Sequence, residues 1–396
     1  MKLLISGDFY KTNSTLRVDK EFSEYIDAAD YSILNFEGPI VENKDSKFKI
    51  KKTGPNISMR KSVLNVFDIF SKKIICACAN NHIGDYGENG IHETLSEFSQ
   101  KKIKLFGVGE NITEAGKPLI LENRIAIINF SENEYGMARK GYAGANPFRV
   151  DYVVNQIRDL SSQGLSVIVF YHGGNEYCPI PNPRNIMMSR LYIDCGAKVV
   201  IGSHAHCPQS IEKYKDSMIF YGLGNFVFDD VCQSVSLWKR FKSNIKNMIG
   251  RSNERSFWDI GVSIFLEFDE NSVKHTIVPT KYTEDNLCVL KDEKRKSFDN
   301  YINEISEIIK DPKSYDKIWG SWVVKRSSSF KRVLEKFKYS SIENKNKNYF
   351  PFENLLRCES HFEVVKSLNE LTSLNRLNNY KSSHVSFYQN PDNFKI

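Results

Sequence analysis

From the amino terminus to about Tyr282, short apolar runs alternate with longer amphipathic segments. The apolar runs have the length of buried strands, and the amphipathic segments repeat apolar residues at helical spacing. This alternation predicts an α/β domain built from layers of sheets and helices. The predicted strands are residues 2–6, 32–36, 73–79, 103–107, 124–130, 166–171, 198–201, 218–221 and 260–268, and the predicted helices are residues 59–71, 90–101, 151–163 and 185–195.

The segment 233–255 departs from this rhythm because it is basic and amphipathic. The segment contains several lysines and arginines but a single acidic residue, Glu254. Trp238 and Phe241 belong to a set of apolar residues at helical spacing. The pattern predicts an inserted helix, and two roles for it stay open. It either packs on the core through its aromatic face, or it acts as a lid or contacts the anionic inner surface of a membrane.

From about Glu284 onward the chain becomes rich in Lys, Asn and Ser, with helical spacing at residues 298–309, 327–337 and 359–371. This change predicts a helical carboxy-terminal appendage. We therefore divide the chain into an α/β domain at residues 1–283, which carries the insertion 233–255, and an appendage at residues 284–396.

Composition adds little to this picture. The chain has 396 residues, and 55 Lys and Arg against 48 Asp and Glu give a net charge of +7. This modest excess favours anionic substrates or surfaces, and we expect no nucleic-acid partner. The first apolar run ends at Gly7, well short of a signal peptide or a membrane span, and the eight cysteines are scattered. The sequence thus predicts a cytoplasmic protein with reduced thiols, in peripheral contact with the inner membrane face if the insertion binds lipid.

Polar residues with metal-binding side chains follow several of the predicted strands. In α/β sheets, residues just beyond the carboxyl ends of strands lie at one edge, where ligands gather. Carboxylate oxygens and imidazole nitrogens are the donors that bind divalent metals. The residues at these strand ends are Asp8, Glu37, Asn81, His82, His172, His204 and His206.

The spacing of His204 and His206 strengthens this prediction. Alternate residues of an extended segment point to the same side, so both imidazoles can address one site. Four of the eight histidines fall in these turns. We therefore predict a divalent-metal site built from Asp8, Glu37, Asn81, His172, His204 and His206.

The ordered set of motifs resembles the CapA (PGA_cap) family of bacterial capsule and poly-γ-glutamate biosynthesis, a divergent branch of the calcineurin-like metallophosphoesterases. The motifs are GD at 7–8, NFEGP from Asn35, ANNHIGDYG from Ala79, HGGNEY from His172, GSHAH from Gly202 and YGLGNFVF from Tyr221. The resemblance covers roughly residues 1–280. It implies a four-layer α/β/β/α sandwich and one or two bound ions of Mn, Fe or Zn.

The resemblance also implies roles for individual residues. Asp8 and His206 match ligands of a first metal, Glu37 the carboxylate that bridges two metals, and Asn81, His172 and His204 ligands of the second. His82 matches the catalytic histidine, while Asp85 and Glu176 are extra carboxylates that serve as a replacement ligand or a general base. Asn80, Asn225 and Tyr10 are the predicted substrate contacts. The sequence departs from the superfamily pattern at Tyr10, where a histidine ligand is expected, and at Glu37, where aspartate is expected.

Two functions are consistent with these observations. The first is a metal-dependent hydrolase or transferase that acts on a phosphorylated or polymer-linked intermediate of capsule or cell-surface polymer synthesis, in the company of capsule-synthesis proteins. The second is a non-catalytic partner that binds polymer or organises a capsule synthase. Tyr10 in place of a ligand favours the second function, whereas the intact histidines favour the first.

Overall fold

The computed structural model describes residues 1–43, 46–52, 54–71, 73–229, 257–269, 272–338 and 342–396. The predicted basic insertion at 233–255 lies outside these residues. Within them, the helices are all too short or too polar to cross a membrane.

Two sheets form the centre of the α/β region. The first has nine strands in the order β2-β17-β16-β15-β1-β3-β4-β5, with β14 paired to β1. Its strands are β1 (Lys2–Tyr10), β2 (Arg17–Val18), β3 (Tyr31–Phe36), β4 (Ile74–Ala77), β5 (Lys104–Phe106), β14 (Asn225–Phe228), β15 (Ile260–Phe268), β16 (Val273–Thr283) and β17 (Asn286–Val289). Strands β1, β3, β4 and β5 run parallel.

The second sheet has six strands in the order β12-β13-β11-β10-β8-β7. Its strands are β7 (Leu119–Leu121), β8 (Ile125–Ser131), β10 (Ser166–His172), β11 (Ala197–Ser203), β12 (Ile211–Tyr214) and β13 (Ser217–Phe220). Strands β8, β10, β11 and β13 are parallel. A short antiparallel pair joins β6 (Val108–Gly109) to β9 (Gly144–Ala145).

Helices connect the strands and then form the carboxy-terminal region. In the α/β region they are α1 (Lys20–Ala28), α2 (Gly87–Lys101), α3 (Ile112–Ala115), α4 (Val150–Ser162) and α5 (Pro183–Asp194). The carboxy-terminal region contains α6 (Asp292–Ile308), α7 (Pro312–Lys338), α8 (Ile342–Arg357), α9 (Glu359–Ser373) and α10 (Ser382–Tyr388). Short 3₁₀ segments cover Ser46–Phe48, Lys61–Phe70, Leu377–Asn379 and Pro391–Phe394.

The two sheets share a hydrophobic core. Leu3 and Ile5 of β1 belong to the same buried cluster as Ile127 of β8 and Val169 of β10. Leu4, between them, faces a second cluster on the other side of the first sheet, as expected when successive side chains of a strand point to opposite faces. The predicted α/β class and the helical carboxy-terminal region are thus confirmed. The exact four-layer order stays a prediction.

Most predicted elements are present, and two differ in an informative way. Residues 59–71 were expected to form an α-helix, but Lys61–Phe70 is a 3₁₀ helix. Its buried side chains explain this, because Leu64, Phe67 and Phe70 are spaced by three residues, the period of a 3₁₀ turn. The predicted helix at 327–337 is part of the longer α7. The proposed division at residue 283 stays a prediction, and β17 lies just beyond it.

Candidate metal centre

Three predicted ligands from both sheets converge on one point. Asp8 is in β1, Glu37 directly follows β3, and His172 ends β10. One ligand atom from each lies within 4.8 Å of those of the other two, and all three side chains are buried. Two carboxylates and an imidazole are a donor set that suits a divalent cation. The structure therefore brings strand-end residues of two different sheets into one candidate metal centre.

Asn35 organises this centre, although the sequence did not single it out as a site residue. Its Nδ2 donates to Asp8 Oδ1 at 2.8 Å and lies 3.4 Å from Glu37 Oε2 and 3.3 Å from His172 Nδ1. Asn35 and Glu37 are two residues apart along an extended segment, so their side chains point the same way. That spacing was the signal available in the sequence. The amide fixes the orientation of the Asp8 carboxylate.

The HxH turn places two more imidazoles against the same carboxylates. The His204 backbone N–H donates to Asp8 Oδ2 at 3.0 Å, and its Nδ1 lies 3.1 Å from His172 Nε2. His206 lies 3.7 Å from Asp8 Oδ2 and 3.8 Å from Glu37 Oε1. Both residues have a positive φ, +89° for His204 and +52° for His206. This backbone conformation is strained for residues other than glycine. The turn thus stores strain where it aims the two rings.

Glycines permit this close meeting of loops and strands. A Cβ at Gly7 would lie 2.0 Å from the carbonyl oxygen of Gly224, and one at Gly202 would lie 2.1 Å from that of Tyr221. Both obstacles are backbone atoms, so a side chain would force the strands apart. Asp8 and His204 lie within two residues of these glycines. Their positions therefore depend on the absence of a side chain there.

Asn81 completes the predicted set of six. Its Oδ1 lies 3.1 Å from His172 Nε2, and its side chain is buried. An amide oxygen is a further neutral donor for a hard divalent cation. All six residues predicted to hold metal therefore lie in one cluster, while their binding of an ion stays a prediction.

Two imidazoles of this cluster supply too little positive charge to balance its carboxylates. Burial raises the pKa of Asp8 to about 6, although the hydrogen bonds from Asn35 and from the His204 backbone oppose it. Burial and the neighbouring Asp8 carboxylate raise the pKa of Glu37 well above its usual value. Burial also lowers the pKa of His206 to about 4 and that of His172 well below its usual value. The imidazoles of His172 and His206 are therefore neutral at pH 7 and do not compensate the carboxylates.

One carboxylate oxygen in the centre has no hydrogen-bond partner among the described residues. Glu37 Oε1 is buried and makes no hydrogen bond. A buried carboxylate oxygen without a partner is costly unless a cation neutralises it. The buried carboxylates, the neutral imidazoles and this orphaned oxygen together fit a bound divalent cation.

Glu37→Gln is therefore expected to stabilise the metal-free protein by roughly 1–3 kcal/mol at neutral pH, because it removes a carboxyl that must either hold a buried charge or take up a proton on folding. A carboxyl whose pKa is raised on folding contributes stability at low pH, and this contribution is lost as the pH rises through the folded-state pKa. The gain should therefore be small at about pH 5 and grow towards about pH 8. Thermal unfolding of both metal-free proteins across this range measures it.

The exposed Glu24 of α1 supplies the matched control, since its side chain is 65% exposed. Glu24→Gln should change stability by a few tenths of a kcal/mol at most, about the scale of surface substitutions. If Glu37→Gln is less stable than the metal-free wild type at neutral pH, the charge of Glu37 is compensated and the argument for a cation fails.

His82 lies beside the centre in a separate charged group. Its Nδ1 is 2.8 Å from Asp85 Oδ2, and Asp85 also accepts a hydrogen bond from the Ile57 backbone at 2.7 Å. Lys52, which sequence analysis missed, forms an ion pair with Asp85 and lies 3.0 Å from His82 Nδ1. Asp85 is fully buried, whereas the His82 side chain is 12% exposed. Asp85 therefore holds the imidazole through Nδ1.

Glu176 lies in the loop after β10, four residues beyond His172, and its side chain is exposed. Desolvation would raise its pKa, but electrostatic interactions with the basic groups His204, His206, Arg326 and His361 outweigh this and lower the pKa to about 2. Glu134, another carboxylate that the sequence did not reveal, lies 3.8 Å from His204 Nε2. Both carboxylates border the cluster without joining its centre.

The three predicted substrate contacts have structural partners. Asn80 accepts hydrogen bonds from the backbone N–H groups of His82 and Ile83 and donates to the Phe36 carbonyl. Asn225 Oδ1 lies 2.8 Å from His206 Nδ1. Tyr10 is buried with its ring 5.2 Å from that of Phe228. These contacts support positioning roles for Asn80 and Asn225, and substrate binding by the three residues stays a prediction.

Comparisons with known proteins agree with the resemblance seen in the sequence. The chain is 31% identical over 208 residues to the PGA biosynthesis protein CapA of Bacillus subtilis (strain 168), covering 51% of this chain and 54% of that protein. It is 29% identical over 222 residues to the capsule biosynthesis protein CapA of Bacillus anthracis, covering 54% of each. A probable polyglutamine synthesis accessory protein of Mycobacterium tuberculosis (strain H37Rv) is 28% identical over 171 residues, which cover 39% of this chain and 45% of that protein.

The chain thus spans about half the length of the curated relatives it matches. The family model described as bacterial capsule synthesis protein PGA_cap matches residues 10–230, which is more than half of this chain. This range includes every predicted ligand except Asp8. The protein therefore belongs to the bacterial capsule synthesis protein PGA_cap family.

Proposed function

We propose that this chain is a metal-dependent phosphoesterase-like protein of capsule or cell-surface polymer biosynthesis. It hydrolyses or transfers a phosphorylated or anionic, polymer-linked intermediate. The observation that carries the proposal is the convergence of buried Asp8, Glu37 and His172 from two sheets, with the raised carboxylate pKa values and the unpartnered Glu37 oxygen. Such a cluster is unfavourable without a cation and functional with one.

The residues that would hold the ions are Asp8, Glu37, Asn81, His172, His204 and His206. One or two ions of Mn, Fe or Zn held there would supply Lewis acidity and activate water for attack on a phosphorus centre. His82 has its Nδ1 engaged by Asp85, which leaves Nε2 to give a proton to the leaving oxygen. Asn35 and Asn225 orient Asp8 and His206.

The relatives support the polymer pathway. Two carry names for the biosynthesis of PGA and of capsule, and a third is named as an accessory protein of polyglutamine synthesis. Capsule-synthesis proteins are accordingly the partners that we propose. We place the protein in the cytoplasm or at the inner face of the membrane, where polymer precursors are made. The relation to metallophosphoesterases and their four-layer sandwich is part of the same proposal.

Metal analysis together with a substrate screen tests this function. The purified protein is treated with chelator, reloaded with Mn²⁺, Fe²⁺ or Zn²⁺, and examined by elemental analysis and with aryl phosphomonoesters and phosphodiesters. We expect at least one ion per chain and turnover that depends on it. A chain that retains no metal contradicts the proposal. Bound metal without turnover of any ester favours a non-catalytic polymer-binding partner of a capsule synthase instead.

A further inference from the structure

The carboxy-terminal helices are bonded to the loops that surround the metal centre. Ser360, at the start of α9, donates to Glu132 Oε1 at 2.8 Å and through its backbone N–H to Glu132 Oε2 at 3.1 Å. The same hydroxyl accepts from Asn182 Nδ2 at 2.9 Å. Glu359 accepts two hydrogen bonds from Asn133. One buried turn of helix therefore links the loop after β8 to the loop after β10.

The loop after β10, residues 173–182, carries Glu176 and is held from the same side at two further points. Gln389 donates to the Tyr177 carbonyl at 2.6 Å, and the Tyr315 hydroxyl donates to the Pro181 carbonyl at 3.0 Å. These bonds come from α7 and from the end of α10. The helical region, which lies outside the family match at 10–230, thus forms a wall beside the metal centre.

Two basic side chains of this wall, Arg326 in α7 and His361 in α9, lie near the loop that carries Glu176, and both are half-buried. His361 follows Ser360, whose carbonyl accepts a hydrogen bond from Asn175 at 3.3 Å. Arg326 lies one helical turn before Phe330, whose ring contacts His361. The Arg326 guanidinium lies over the Trp322 ring, 4.4 Å from its centroid, and the His361 ring contacts Phe330 edge-on at 6.0 Å. Aromatic contacts of this kind hold a planar guanidinium in one orientation, which suits recognition of a carboxylate or phosphate.

An acidic depression lies near the ring of His206. The rings of Trp258 and Phe228 pack against His206 and border a depression of about 630 Å³. The acidic residues that line the depression are Asp229, Asp259, Glu284 and Asp285. The acidic lining repels an anionic chain from this depression.

We propose that Arg326 and His361 form a recognition site for an anionic group of the substrate, a carboxylate or a phosphate, that lies away from the reacting bond. The inference rests on the proposed function in one respect, that the reacting bond lies at the metal centre. The helical region then determines which substrates are accepted, while the α/β region provides the metal centre.

Binding of two labelled oligomers, followed by fluorescence anisotropy, tests this inference. One is a decamer of γ-linked glutamate and the other an oligomer of glycerol phosphate, so that the two arms separate a carboxylate from a phosphate source. Arg326→Gln should weaken binding of at least one oligomer about tenfold, the effect of losing one charge-assisted contact. His361→Gln should weaken it less, and Arg326→Lys should restore part of the affinity.

Lys331→Gln is the matched control, because Lys331 is an exposed residue of the same helix and lies five positions further along, on another side of it. It removes the same charge and should leave binding within about twofold of the wild type. Glu176→Gln should tighten binding, since it removes the negative charge beside the site, an effect that a misfolded variant would not give. The inference is overturned if Arg326→Gln binds both oligomers as Lys331→Gln does.

These measurements need neither metal nor turnover. If the wild-type protein binds no metal, the proposed function is contradicted. The expected loss of oligomer binding in Arg326→Gln does not depend on that result. Equal binding by Arg326→Gln and wild type overturns the inference whatever the turnover.

Discussion

His204→Ala is expected to remove bound metal from the protein and with it the hydrolysis of aryl phosphodiesters. His204 contributes a buried imidazole beside His172, and its backbone orients Asp8. Mutation of a group that only orients a metal ligand typically lowers metal affinity about 10–100-fold. Loss of a ligand itself should therefore weaken metal binding on the order of 100-fold or more. Metal-dependent turnover should fall on the order of 1,000-fold, as the loss of several kcal/mol of charge stabilisation implies.

Elemental analysis and steady-state kinetics on the same preparations measure both effects. His92→Ala is the matched control, because this histidine is 49% exposed and contacts Glu110 far from the centre. Metal content and rate should match the wild type in this control. Unchanged metal content in His204→Ala would exclude His204 from the ligand set. The predicted ligand set would then be reduced to Asp8, Glu37, Asn81, His172 and His206.

His82→Gln is expected to separate chemistry from metal binding. The imidazole lies beside the predicted ligands, and Asp85 and Lys52 hold its Nδ1 side. Removing a general acid typically costs about 10²–10⁴-fold in rate. We therefore expect kcat on phosphodiesters to fall by about that factor, while the metal content stays at the wild-type level. This combination differs from the result expected for His204→Ala.

The leaving group gives a second measurement for His82. A proton donor matters most when the leaving oxygen is strongly basic, so the loss should be greater for an alkyl than for a nitrophenyl ester. A variant that loses metal and rate together would show that His82 supports the centre rather than donating a proton. An unchanged rate with both esters would remove His82 from the mechanism.

We expect the candidate centre to trade folding stability for metal binding. Asp8 and Glu37 are buried with raised pKa values, and His204 and His206 have positive φ. Each of these features costs folding free energy, and a bound cation compensates the buried charge. Ion binding should therefore raise thermal stability, because a ligand that binds only the folded state stabilises it by mass action. For the same reason, Glu37→Gln is expected to be more stable than the wild type when no metal is bound.

The helical wall changes how the chain divides into functional parts. The change in composition after Glu284 predicts an appendage at residues 284–396, a region that the family resemblance does not cover. In the structure, Ser360 joins the loop after β8 to the loop after β10. The region is thus bonded to the centre through buried polar groups, which are costly to separate. Its role in selecting the substrate is the inference that the oligomer experiment tests.

The sequence by itself determined the strand ends and the residues that occupy them. Apolar runs, glycines and the order of Asp8, Glu37, His172, His204 and His206 are local features, and strand periodicity shows which side chains share a side. The family resemblance added the roles of these residues. The 3₁₀ helix at Lys61–Phe70 was misjudged as α because periods of 3.0 and 3.6 differ little over ten residues.

Only the tertiary structure decided which distant groups meet. The bond between Asn35 and His172 joins residues 137 apart, and that between Glu132 and Ser360 joins residues 228 apart. Likewise, Lys52 reaches Asp85, and Gln389 reaches the Tyr177 carbonyl, because separate loops and helices pack together. The local pattern around a residue carries no information about such pairings, since they follow from the packing of whole sheets and helices. The sequence therefore supplied the candidate metal ligands, and the fold supplied the groups that orient them and the wall beside them.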